Sequence, residues 1–173
     1  VITGGYPGKL RDILGIWVEE SDALPSDQEN HFIWRGKKYP AKLLCDLMHL
    51  EGAKEMAQYQ EDFYAKTPVL TENAFGAGQA YYVGTRSSEE FYREFIRNCM
   101  EEKGIRPVLE ALEGVEVTER FCGERSIKFV LNHNDKPVWV QVDDDRKDLL
   151  TGKCYGASES VEVEAKGVLL LEK

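Results

Sequence analysis

The sequence predicts an α/β segment followed by an all-β segment, with the change near Gly114. Two observations carry that expectation. From Val115 onward, apolar residues recur with a period of two, as in strands that are wet on one face. Before Gly114 the strong 3.6-residue pattern is confined to one stretch, about Ser88 to Lys103, set among short strand-like runs. We therefore expect two domains, residues 1–113 and residues 114–173, the second a small antiparallel β-sandwich or barrel.

The elements follow in order. Lys9 to Leu14 can form one or two helical turns, stopped by Gly15, and Ile16-Trp17-Val18 reads as a short strand. Ser21 to Asn30 is polar and carries a proline, which predicts a loop. His31 to Trp34 and Tyr39 to Leu44 flank a basic turn, Arg35-Gly36-Lys37-Lys38, of hairpin length. Leu43 to Leu50 fits neither period and stays open between strand and helix. Glu55 to Gln60 alternates as a strand. Pro68 to Asn73 and Gln79 to Gly84 are strands joined by Ala74 to Gly78, whose glycines permit a reversal.

The expected helix has Ser87 and Glu90 spaced for a capping box, and Phe91, Phe95, Ile96, Cys99 and Met100 on one face. Lys103 and Gly104 then supply a cationic last turn and a left-handed stop. In the β-only part, Val115 and Val117 alternate with Glu116 and Thr118. The same pattern sets Ile127, Phe129 and Leu131 against Lys128, Val130 and Asn132. Val138, Val140 and Val142 alternate with Trp139 and Gln141, and Val161, Val163 and Ala165 with glutamates and Lys166.

The composition narrows the function classes. The chain has 173 residues, 42% hydrophobic and 31% charged, which is ordinary for a folded water-soluble domain. Its 31 acidic against 22 basic residues give a formal net charge of −9. That repels phosphate backbones and anionic lipid, so nucleic acid and membranes are poor partners, while a neutral sugar is unaffected. Cys45, Cys99, Cys122 and Cys154 are widely spaced, without the close pairs that structural zinc needs, and are expected as reduced thiols. No metal or cofactor is expected.

The opening run Gly4-Gly5-Tyr6-Pro7-Gly8-Lys9-Leu10-Arg11 … Leu14-Gly15-Ile16 … Glu19-Glu20 resembles a run in the non-catalytic half of family 42 glycoside hydrolases, the bacterial β-galactosidases. Further stretches resemble the same family in the same order: Glu61 to Tyr64 with Pro68 to Thr85, then Phe129 to Asn134, then Asp148 to Gly152. The resemblance implies that residues 1–113 are the latter part of the family's trimerisation domain, a partial amidotransferase-like (flavodoxin-like) mixed sheet with one long helix. It implies that residues 114–173 are the small C-terminal domain. Family members are retaining hydrolases with two barrel glutamates about 5 Å apart, and no segment of this chain corresponds to those strands. The expectation is a non-catalytic fragment, beginning at Val1 downstream of the catalytic barrel and serving subunit assembly and barrel support. Its partners would be that barrel and the other subunits of a homo-oligomer, trimeric in the parent. A cytoplasmic location is expected. The alternative is a galactoside-binding accessory module.

The candidate residues follow. Glu19 and Glu20 adjoin on a strand and should point to opposite faces, and the Asp143-Asp144-Asp145 run belongs to a solvated turn, so neither is expected to be catalytic; nor is Glu61 with Asp62. Cysteine catalysis needs a small-residue elbow and a base; Cys45 sits between Leu44 and Asp46, and Cys99 is on the apolar helix face. His31, His49 and His133 lack metal-ligand spacing, and Gly76-x-Gly78 joins two strands, so it is no dinucleotide fingerprint. Tyr6, Pro7, Trp17 and Trp34 are interface candidates beside glycine turns. Trp139 and Tyr155 are candidates for stacking on a sugar ring, with packing against the preceding domain as the competing reading for Trp139.

Overall fold

The computed structural model describes residues 5–173. They form two compact units, dividing in sequence between Cys99 and Met100. The first opens with a 3₁₀ turn, Gly8–Leu10, running into a short helix α1 (Arg11–Leu14). Gly15 ends it in the left-handed region, φ 61°. A Cβ at Gly15 would lie 2.8 Å from Ala53 N, and its carbonyl accepts from Glu51 N and Ala53 N, so only glycine fits this close approach.

Strand β1 (Ile16–Ala23) pairs with the second half of the long β3 (Lys37–Leu50), while β2 (Asn30–Trp34) pairs with its first half. The expected polar loop thus starts later than Ser21, because Ser21, Asp22 and Ala23 still pair with Asp46, Cys45 and Leu44. The ambiguous Leu43–Leu50 stretch is strand. Its mixed pattern comes from Leu43, held at φ 69° where the ladder to β7 (Thr85–Arg86) shifts register. A second sheet has the order β4 (Lys54–Gln58), β5 (Pro68–Phe75), β6 (Gly78–Val83).

Each ladder among the described residues is antiparallel. The expected flavodoxin-like mixed sheet is therefore not what these residues build. Parallel pairing needs a crossover of a dozen or more residues, whereas β2 and β3 are joined by Arg35-Gly36 and β5 and β6 by Gly76-Ala77. The protein is mostly sheet with few helices.

Helix α2 (Glu89–Glu102) lies close to the predicted bounds, but its cap is one residue later than expected. Phe91 N donates to Ser88 Oγ at 3.3 Å, and Ser87 Oγ is turned away, donating to Pro40 O at 2.7 Å. Its buried face is Phe91, Phe95 and Asn98, and Ile96, expected there, is exposed. The stop is a Schellman pattern, with Ile105 N on Met100 O and Gly104 N on Glu101 O. Phe91 meets Phe32 at 5.0 Å, Tyr39 at 5.2 Å and Trp34 at 5.8 Å between ring centroids, and Phe95 meets Tyr81 at 5.4 Å. These rings form the core of the first unit.

The second unit is a two-layer sandwich. One layer has the order β12 (Cys154–Tyr155), β11 (Arg146–Asp148), β14 (Val168–Glu172), β9 (Arg125–Asn132), β8 (Val115–Cys122). The other is β10 (Val138–Gln141) with β13 (Ser160–Val163). Val138, Val140, Val142, Val161 and Val163 face inward as their alternation predicts. Leu109, from the connector ahead of Gly114, packs in the same core.

On β9 the alternation is inverted. Ser126, Lys128, Val130 and Asn132 are buried, while Ile127, Phe129 and Leu131 take the partly exposed face. The cause is the neighbouring β14, apolar on both faces: Leu169 and Leu171 go inward beside Val130 and Lys128, and Val168 and Leu170 pair with Leu131 and Phe129 outside. The inward polar groups are satisfied. Asn132 Nδ2 lies within 3.1 Å of the carbonyls of Lys136, Val163 and Glu164, and its Oδ1 accepts from Asn134.

Candidate functional site

The predicted interface residues separate into two groups. Tyr6 is exposed, bridging to Val18 through Val18 N and Tyr6 O at 2.8 Å, and its ring lies 6.5 Å edge-on from Tyr82. Pro7 is half-exposed beside it. Gly4 lies outside the described residues. Trp17 is on the outward side of β1, stacked on His49 at 4.6 Å, with Arg11 Cζ 5.8 Å from its ring centroid. Trp34 is a correction. It is buried within the aromatic core against Phe91 and Phe95, because β2 turns Phe32 and Trp34 to the same inner face, so it has no surface to offer a neighbour.

Several of the carboxylates have local partners. The β1 ladder bulges between Val18 and Glu20, which interrupts the strict alternation assumed for Glu19 and Glu20. Both remain exposed, and Glu19 Oε2 lies 2.6 Å from His49 Nε2. Glu61 Oε1 lies 3.1 Å from His31 Nδ1, and Glu29 Oε1 lies 3.2 Å from His31 Nε2. Glu94 takes a hydrogen bond from Tyr39 Oη at 2.6 Å and one from Lys37 Nζ. Burial first, then Glu94, pushes the Tyr39 phenol up to about 12.

Cys45 is fully buried, and burial raises its thiol pKa, which works against nucleophilic chemistry. Its Sγ is 3.9 Å from Thr85 Oγ1, and the nearby Tyr59 Oη donates to Gly84 O. Cys122 and Cys154 are the exposed thiols. Among the described residues no cluster of three or more His, Cys, Asp or Glu side chains is arranged to hold a metal ion, and no helix is long and apolar enough to cross a membrane.

In the second unit Tyr155 is also a correction. It is buried in the sandwich core, with Lys153 Nζ 4.8 Å from its ring centroid, so its face is not offered to a sugar. Trp139 is 58% exposed, since Val138 and Val140 take the inner face of β10. It lines a groove of about 620 Å³ with the connector Pro107–Leu112, Gln141 and Ser158.

Sequence reasoning missed the buried charges. Lys128 is sealed in the unit, donating to Val108 O at 3.1 Å and to Asp143 Oδ2. Arg146, also buried, reaches Asp143 Oδ1, Ser126 Oγ and Glu119 Oε1. Burial pushes the Asp143 carboxyl up, but the Lys128 hydrogen bond and charge, then the Arg146 charge, outweigh it, and the net shift is downward. Asp148, wholly buried, shifts down likewise: burial raises it, and the Thr151 hydroxyl with the N–H groups of Leu170, Leu150 and Thr151 more than offsets that. The signal available was the inverted strand itself, a lysine and an asparagine flanking Val130 at alternate positions.

Fold and sites together describe a sheet-rich protein of two units whose buried polar groups serve its own architecture. Comparison with known proteins places it more narrowly. Residues 1–106 match the family model for the β-galactosidase trimerisation domain, and residues 114–173 that for the β-galactosidase C-terminal domain. β-Galactosidase BgaP of Planococcus sp. (strain L4) is 44% identical over the whole chain, which covers 26% of that protein. The crystal structure of β-galactosidase from Bacillus circulans sp. alkalophilus matches all of the chain with TM-score 0.88 and 40% identity, over 26% of its own length. Gan42B, a GH42 β-galactosidase from G. stearothermophilus solved as a catalytic mutant, matches 99% of the chain with TM-score 0.86 and 32% identity, over 25% of its length.

The chain belongs to the family 42 β-galactosidases, as their trimerisation and C-terminal domains. It spans about a quarter of the length of the curated relatives it matches.

Proposed function

We propose that this chain is the assembly portion of a retaining β-galactosidase, working in the cytoplasm, in which the catalytic glutamates belong to a barrel outside these residues. The observation that carries the reading is the match of residues 1–106 to a trimerisation domain. The structural use of Asp148 supports it, since this wholly buried carboxylate is taken up by the Thr151 hydroxyl and the N–H groups of Leu150, Thr151 and Leu170. The whole enzyme hydrolyses terminal β-galactosides and works as a trimer. Tyr6, Pro7 and Trp17 contact the barrel or a neighbouring subunit, and any flavodoxin-like portion of the middle domain is supplied by other residues of the enzyme. The functional boundary lies at Gly114, with the preceding connector anchored through Leu109 in the C-terminal core. Two measurements test this. The 173-residue chain is expected to give no turnover of nitrophenyl β-galactoside. Light scattering is expected to find a trimer; hydrolysis that survives repurification, or a monomer at all concentrations, overturns the corresponding half.

A further inference from the structure

We propose that the Trp139 groove is a binding site for a β-galactoside. An indole on the water side of a strand is an unusual use of a large apolar ring. Trp139 is placed there by register: its neighbours Val138 and Val140 are buried, and it stands opposite Glu162 on β13. Leu112, 62% exposed, lines the same groove with Glu110, Gln141, Asp143 and Ser158, and Gln141 Nε2 donates to Ser158 O at 3.4 Å. The groove, roughly 620 Å³, is within the range of small-ligand sites and ample for a mono- or disaccharide. An apolar platform edged by amide, carboxylate and hydroxyl groups matches a pyranose, which has a C–H face and a rim of hydroxyls. Galactose fits best among common hexoses, because its axial O4 leaves the hydrogens of C3, C4 and C5 together on one face. The acidic chain does not repel a neutral sugar. The choice of β-galactoside over other pyranosides also rests on the proposed function.

The test follows the three tryptophan indole N–H signals of the full chain by NMR during titration with methyl β-galactoside, with methyl β-glucoside in parallel. Trp139→Phe assigns the signal. The expected result is a saturable shift of the Trp139 signal alone, with Kd of about 1–10 mM, a response to glucoside at least several-fold weaker, and at least tenfold loss of affinity in Trp139→Ala. Gln141→Ala, which removes one rim group and leaves the platform, is expected to weaken binding less. A silent Trp139 signal, an equal response to glucoside, or a shift that follows protein concentration and so reports protein docking, each overturns the proposal. A trimer with a silent Trp139 defeats this inference alone, and a monomer that binds galactoside defeats the assembly reading alone.

Discussion

The two units solve the problem of a core differently. The first is filled by aromatic rings, Phe32, Trp34, Tyr39, Phe91 and Phe95, brought together by one helix and the β2–β3 hairpin. The second is filled by valines and leucines, and carries two buried cations and a buried carboxylate within the same layers. Large rings bury much area per residue and need little polar satisfaction. A small sandwich with thin valine faces instead holds one edge together by directed hydrogen bonds, which fix its register at the expense of tolerance. The first unit should therefore fail mainly when volume is removed, the second when a partner is removed.

The largest effect expected is Phe91→Ala, a loss of about 3–5 kcal/mol in urea unfolding, because the ring touches five other rings. Next is Asp143→Ala, expected to lose about 3 kcal/mol by leaving Lys128 and Arg146 buried without it. The sharper arm is Lys128→Met. The Asp143 side chain is 42% exposed, so water can take over its carboxylate, and this variant should lose less than about 1 kcal/mol. Equal losses from the two would break the contrast drawn between the units.

Acid extends the same comparison. Asp143 and Asp148 have folded-state pKa values below their ordinary 3.8. Their stabilisation is thus complete well above that value and is lost as pH falls through the lower folded values. Thermal melts between pH 6 and about 2 should show methyl signals of Val138, Val140 and Val163 losing dispersion in the acid range, with the loss blunted in Asp148→Asn.

Below Phe91→Ala and Asp143→Ala comes Gly15→Ala, expected to lose about 1–3 kcal/mol from a positive φ and the approach to Ala53 N. Ser88→Ala is expected to lose about 1 kcal/mol. Amide exchange at Phe91 should accelerate in Ser88→Ala and not in Ser87→Ala; the reverse would restore Ser87 as the cap.

Much of this was legible in the chain because it is local. Gly15 and Gly104 stop helices by conformation alone, and Val138 to Val142 declare their face by period. What was not legible depended on partners distant in sequence. The face taken by Lys128 is decided by β14, some forty residues later, whose run of Val168 to Leu171 is apolar on both sides. Trp34 looked like a surface residue beside a glycine turn until α2 supplied the rings that bury it. Among the candidate sites, Trp139 was legible by alternation, whereas Tyr155 was hidden because a two-residue strand has no period to read.

The sealed ammonium of Lys128 has a practical consequence. An acylating reagent that modifies surface lysines has no path to this amine while the layers stay closed, so its conversion, followed by mass spectrometry, times how often the C-terminal sandwich opens. Nature has in effect left a stopwatch inside the domain, readable without a single mutation.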